Sequence, residues 1–74
     1  MGATTIEVGR CLISDLCRAK GITQTQLGIL VGMSKGQISD YGRKRFLLSL
    51  ENAKLIADAL GCHIDDLYEW RYKR

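Results

Sequence analysis

Between Thr23 and Arg45 the chain concentrates side chains that make hydrogen bonds or carry charge: Thr23, Gln24, Ser34, Lys35, Gln37, Ser39, Asp40, Arg43, Lys44 and Arg45. Hydroxyls and amides both donate and accept, whereas ammonium and guanidinium groups only donate and also neutralise anions. Asp40 is the only acid among these cations, so the set suits recognition of polar edges and negative charge. The bland alternative for any such cluster is a solvated face. Catalysis is not expected, because no motif pairs a nucleophile with a base. The chain has one histidine, no glycine-rich phosphate loop and no H-E-x-x-H. Cys11, Cys17 and Cys62 are odd in number and lack C-x-x-C spacing, which argues against a disulfide framework or a zinc site. They are expected to be reduced thiols packed as small apolar residues. Cys62 and His63 are adjacent and have no further ligands nearby, so no metal or other cofactor is expected.

Two short helices joined by a glycine turn must position the recognition groups. Gln24 to Val31 places Leu27, Leu30 and Val31 at helical i, i+3, i+4 spacing, with Thr23 as N-cap and Gln26 completing a capping-box pattern. Gly32 follows where a left-handed C-cap residue sits. Ser34 caps a second helix from Lys35, with Ile38 and Tyr41 facing inward and Gly42 at its expected end. Gly28, beside Leu27, is expected where the two axes approach, since glycine otherwise costs about 1 kcal/mol of helix propensity. Geometry alone leaves two readings, a helix-turn-helix unit or an ordinary helical hairpin in a bundle.

Seventy-four residues form one domain with a small core, for which a partner subunit is a reasonable source of further stability. The absence of proline and the helix-forming composition predict an all-α fold. Residues 1–7 read as a flexible arm, and Val8 to Lys20 as a first helix with Leu12, Ile13, Leu16 and Ala19 inward and Gly21 closing it. Ser49 caps a fourth helix whose inner stripe is Leu50, Ala53, Ile56, Ala57 and Leu60, stopped by Gly61. Ile64 and Leu67 then belong to a short fifth helix starting near Asp65, and residues 71–74 form a basic tail. The net charge of +3 is only mildly basic, so the placement of charge matters more than its sum. No apolar run is long enough for a membrane span and no signal-peptide pattern is present, which predicts a cytoplasmic protein without membrane partners.

I-T-Q-T-Q-L-G from Ile22, V-G-M-S from Val31, I-S from Ile38, S-L-E from Ser49 and A-D-A-L-G-C-H-I-D-D-L from Ala57 together resemble the Cro and phage-repressor class of helix-turn-helix proteins, the XRE family. The resemblance runs without gaps from about Ile13 to Tyr68. It implies a five-helix, phage-repressor-like DNA-binding domain, with the helix-turn-helix at helices two and three. By that resemblance Lys35, Gly36, Gln37, Ser39 and Asp40 face base edges: Lys35 toward guanine or a phosphate, Gln37 toward adenine or the backbone, Ser39 toward either kind of base, and Asp40 toward cytosine N4. Gly36 lets the backbone approach the duplex. Thr23, Gln24, Ser34, Arg43, Lys44 and Arg45 are expected at phosphates.

Two departures stand out. Many relatives carry an arginine and a glutamate, joined as an ion pair, where this chain has Cys17 and Gly42, and the joint loss fits replacement by small residues. Phe46, Leu47 and Leu48 replace a usually polar loop and either fold onto the core or join a subunit contact. The aromatic end, Leu67, Tyr68, Trp70 and Tyr72, reads as a dimer interface, the alternative being a tail folded back on its own subunit. The expected function is sequence-specific binding of double-stranded DNA by a small regulator, a repressor acting as a homodimer on a palindromic operator, with no small-molecule ligand. The other reading is a protein-interaction module, an antitoxin-like partner that keeps the fold without operator binding.

Overall fold

Four helices follow one another in the computed structural model, which describes residues 3–73: α1 (Ile13–Lys20), α2 (Gln24–Val31), α3 (Lys35–Gly42) and α4 (Leu50–Leu60). A single 3-10 turn, Ile64–Leu67, leads into strand β2 (Tyr68–Lys73), which pairs antiparallel with β1 (Thr5–Cys11). The two ends of the chain thus close into a two-stranded ribbon. This corrects the expectation of an all-α, five-helix fold: the fifth helix is one 3-10 turn, and residues 5–7 of the arm and 71–73 of the basic tail are strand. Met1, Gly2 and Arg74 of that arm and tail lie outside the described residues. The physical reason is local. Thr4, Thr5, Ile6 and Val8 are β-branched, and Tyr68, Trp70 and Tyr72 alternate with Glu69, Arg71 and Lys73 at a period of two rather than 3.6.

The ribbon contains a bulge that decides which face is apolar. Val8 pairs with Trp70 and Cys11 with Tyr68, so three steps on β1 match two on β2. The additional residue keeps Ile6, Val8 and Cys11 on one face with Tyr68, Trp70 and Tyr72; strict alternation would have turned Cys11 away. Gly9 lies inside the bulge, where an added Cβ would stand 2.9 Å from the Glu69 carbonyl oxygen. The Leu12 N–H donates to the Leu67 carbonyl at 2.8 Å, and α1 starts at Ile13 instead of Val8.

Three of the four helix starts are capped as the sequence predicts. The Thr23 hydroxyl accepts from Gln26 N–H at 3.0 Å while the Gln26 side chain accepts from Thr23 N–H at 2.8 Å. Ser34 and Ser49 accept from Gln37 and Asn52 N–H, each at 3.1 Å. At the other ends Gly21, Gly32 and Gly61 are left-handed, at φ of 79°, 72° and 70°. The core gathers around the fully buried Ile13, Leu27, Ile38, Ile56 and Leu67, with Cys17, Tyr41, Ala53, Ala57, Leu60, Cys11 and Tyr68 against them. Leu30 and Leu50 were expected inside and instead face solvent, as does Ala19. The inward positions of short helices with oblique partners go to Gly28 and Cys17. Of the apolar loop, Leu48 packs on the core while Phe46 and Leu47 stay exposed.

Candidate nucleic-acid interface

The turn between α2 and α3 is built on a close approach at Gly28. A Cβ there would stand 2.4 Å from the Met33 carbonyl oxygen, and the Met33 N–H donates to the Gly28 carbonyl at 2.8 Å. The backbone of the turn therefore occupies the space that any larger residue would need. Behind α3, Ile38 is fully buried and Tyr41 nearly so, and the Tyr41 hydroxyl accepts from the Asn52 amide at 3.0 Å. This bond holds the C-terminal half of α3 to α4; Cys17 on α1 and Gly42 at the end of α3 are the two positions where relatives are expected to carry an ion pair. Cys17 is buried, and an added Cβ at Gly42 would meet nothing within 4 Å.

With its back fixed, α3 leaves Lys35, Gly36 and Gln37 exposed, and among the described residues Lys35 makes no ion pair. Ser39 is half-buried. Asp40 is more committed than the sequence suggested, lying 3.7 Å from the Arg43 guanidinium and 3.8 Å from that of Arg45. These contacts are solvent-exposed and weak, so they orient the two arginines without neutralising them. Thr23 and Ser34 are exposed at their helix starts. The Gln24 amide donates to the Ser14 hydroxyl, which ties α2 to α1 and leaves the Gln24 amide oxygen free.

α3 ends at Gly42 as the sequence predicts, and the turn that closes it follows over Arg43 to Arg45. Gly42 is its last helical residue, and the left-handed residue is Lys44, at φ 59°. Lys44 N–H donates to the Tyr41 carbonyl and Arg45 N–H to the Asp40 carbonyl, both at 3.0 Å, the paired bonds of a Schellman end. The Lys44 ammonium donates to the Val8 carbonyl at 3.1 Å, joining this turn to β1. Sequence reasoning missed Ser14, Asn52 and Val8 as supports, because each acts across elements whose packing no local pattern encodes.

Of the residues assigned to a dimer interface, Leu67 is wholly buried and Tyr68 is 7% exposed, so both belong to this chain's own core. The Tyr68 hydroxyl accepts from Leu48 N–H at 3.2 Å. Trp70 and Tyr72 remain at the surface. Burial pushes the thiols of Cys11, Cys17 and Cys62 above their ordinary range, which disfavours the reactive thiolate. No cluster of metal-ligating side chains occurs among the described residues.

The Helix-turn-helix family profile matches residues 13–67, spanning α1 to the 3-10 turn. The chain belongs to the helix-turn-helix family of the Cro and phage-repressor (XRE) type. It is 46% identical over 70 residues to the SPbeta prophage-derived uncharacterized HTH-type transcriptional regulator YopS of Bacillus subtilis (strain 168), covering 93% of this chain and 95% of that one. It is 32% identical over 62 residues to the SPbeta prophage-derived regulator YotL of the same strain, covering 82% and 78%. Among solved structures it is similar to the P22 c2 repressor crystallised with a synthetic operator. The TM-score is 0.69 at 33% identity, over 74% of this chain and 83% of that one. The family is one of regulators and is not enzymatic.

Proposed function

We propose that the protein is a sequence-specific transcriptional regulator that binds double-stranded DNA and represses by occupying a promoter, as a homodimer on a palindromic operator. The observation that carries this reading is the exposed, unpaired first turn of α3, Lys35 to Gln37, on a helix anchored from behind by Ile38 and Tyr41. Helix-turn-helix proteins read bases with this part of the second helix. Lys35 and Gln37 have the donors and acceptors for guanine and adenine edges, Ser39 for either, and Gly36 leaves room for the backbone to approach. Asp40 reads a cytosine only by giving up Arg43 and Arg45. Thr23, Gln24 and Ser34 at the starts of α2 and α3, with Arg43, Lys44 and Arg45 after α3, make the phosphate contacts that fix register.

The relatives named as transcriptional regulators, and the P22 c2 repressor seen with its operator, support this reading. Two copies place their α3 helices in successive major grooves, with half-site centres about 10 bp apart. The setting is the cytoplasm, where the duplex is; none of the described helices is long and apolar enough to cross a membrane. The test is selection of duplexes from a random pool at about 100 mM salt, where nonspecific phosphate binding is already weakened. An enriched inverted repeat with that spacing is the expected result. A single unrepeated half-site would remove the dimer, and no enrichment would move the reading to a protein-interaction module.

A further inference from the structure

We propose that Ser14 is a further phosphate-contacting residue, its hydroxyl and the Gln24 amide forming one donor pair that takes the two unesterified oxygens of a single backbone phosphate. The inference rests on the DNA reading of the proposed function and adds a residue of α1 to its contact surface. The Gln24 amide nitrogen donates to the Ser14 hydroxyl oxygen at 2.5 Å, across the junction of two helix starts. Gln24 is the first residue of α2 and Ser14 the second of α1, and both side chains are half-buried. A primary amide nitrogen carries two hydrogens and a hydroxyl carries one. Ser14 accepts one amide hydrogen, so the pair keeps two donors, the second amide hydrogen and the hydroxyl proton. Neither has an acceptor among the described residues.

Local folding does not account for this serine. Thr23, Ser34 and Ser49 each stand at an N-cap and accept from a backbone N–H of their own helix. α1 has Leu12 at its N-cap and no side-chain cap. Ser14 lies inside that helix, where serine is a poorer helix former than alanine, and its hydroxyl is turned to the side chain of another helix. The charge around the pair suits an anion. Asp15, the next residue, lies 3.0 Å from the Arg10 guanidinium and 3.6 Å from that of Arg18, so its carboxylate is offset, and α2 carries no acid. A phosphate only accepts, and hydrogen bonds to a charged acceptor are the stronger kind. Two neutral donors side by side therefore match one phosphate, each bonding one of its oxygens.

The test is fluorescence anisotropy of the full chain on a labelled duplex from the selected pool, for wild type, Ser14→Ala, Gln24→Ala and the double variant. A second set of duplexes replaces one phosphate at a time by a neutral methylphosphonate. Thermal unfolding checks that each variant is folded at the assay temperature. Ser14→Ala is expected to weaken binding about tenfold or more, with the salt slope of wild type, because a neutral donor releases no counterion. Gln24→Ala should lose a similar factor, and the double variant less than the product of the two, since both act on one phosphate. The methylphosphonate scan is the readout that a purely structural bond between α1 and α2 would not move. At one phosphate the replacement should cost wild type affinity and cost Ser14→Ala little. Ser14→Ala that binds like wild type, a salt slope lowered by about one unit, or the same scan in both proteins would each overturn the assignment and leave the DNA reading in place. Failure of wild type to bind any duplex would overturn the DNA reading and the assignment together.

Discussion

Replacing Gly28 by alanine should destabilise the protein, although alanine is ordinarily the better residue in the middle of a helix by about 1 kcal/mol. The new Cβ would lie 2.4 Å from the Met33 carbonyl oxygen, about 1 Å inside an ordinary carbon–oxygen contact. That oxygen is backbone and cannot rotate away. It belongs to the turn whose own N–H is bonded to the Gly28 carbonyl, and the turn is continuous with the Ser34 cap and the seat of Ile38 in the core. Overpacking of this kind costs about 1–3 kcal/mol, and weakening the Met33 bond adds about 1 kcal/mol. After the propensity gain, a net loss of about 1–3 kcal/mol remains. Gly36 is the internal control, because its Cβ would meet only the Ser34 hydroxyl, at 3.9 Å. The same substitution there should stabilise by about 0.5–1 kcal/mol. At about 4–8 °C per kcal/mol for a domain of this size, thermal unfolding should put Gly28→Ala about 5–20 °C below wild type and Gly36→Ala a few degrees above it. Urea titration should give the same order. A Gly28→Ala protein as stable as wild type would refute the argument that the turn is a fixed wall.

Lys44→Gly should raise stability by about 0.5–1 kcal/mol, because it relieves a left-handed non-glycine residue at the cost of one exposed hydrogen bond. It should also weaken binding to every duplex; unfolding curves and salt-dependent anisotropy read the two effects separately. Arg43→Gln and Arg45→Gln should each lower the salt slope of binding by about one unit and leave the preferred sequence unchanged. Asp40→Asn, by removing a carboxylate that draws both guanidiniums, should tighten binding to all duplexes severalfold. If it instead relaxes preference at one base position, Asp40 is a base reader. Alkaline pH should unfold the protein. Burial raises the folded-state pKa of Cys11, Cys17, Cys62 and Tyr68 above ordinary values of 9.0 and 10.0, so the unfolded chain loses these protons first. Their contribution is complete below about pH 9 and is lost as pH rises through the folded values. Denaturation midpoints that stay flat through this range would contradict the burial of these groups.

The helix-turn-helix was legible because its signals are local. Thr23 with Gln26, Ser34, Gly32 and Gly28 each act within five residues of their partners, and the caps and close approach formed as read. The ribbon was not, because Thr5 meets Lys73 across nearly the whole chain, and no helical pattern contradicted its neighbours. Leu12, Ile13 and Leu16 have helical spacing wherever the helix starts, and that hid the strand before them. The signals present were Gly9 inside a supposed helix and the strict alternation of Tyr68, Trp70 and Tyr72 with charged residues.

The turn after α3 was hidden by the same omission. Gly42 is the last helical residue, but the chain then turns left-handed at Lys44, whose ammonium reaches the Val8 carbonyl of β1. Leu48, a few residues on, is held by the Tyr68 hydroxyl of β2. Both strands thus grip the loop that carries Arg43, Lys44 and Arg45, so the ribbon sets where the basic strip points. A reading that leaves the ends of the chain loose can find α3, its last residue and its outward residues, but it cannot find how the chain turns after the helix or what holds its cations in place.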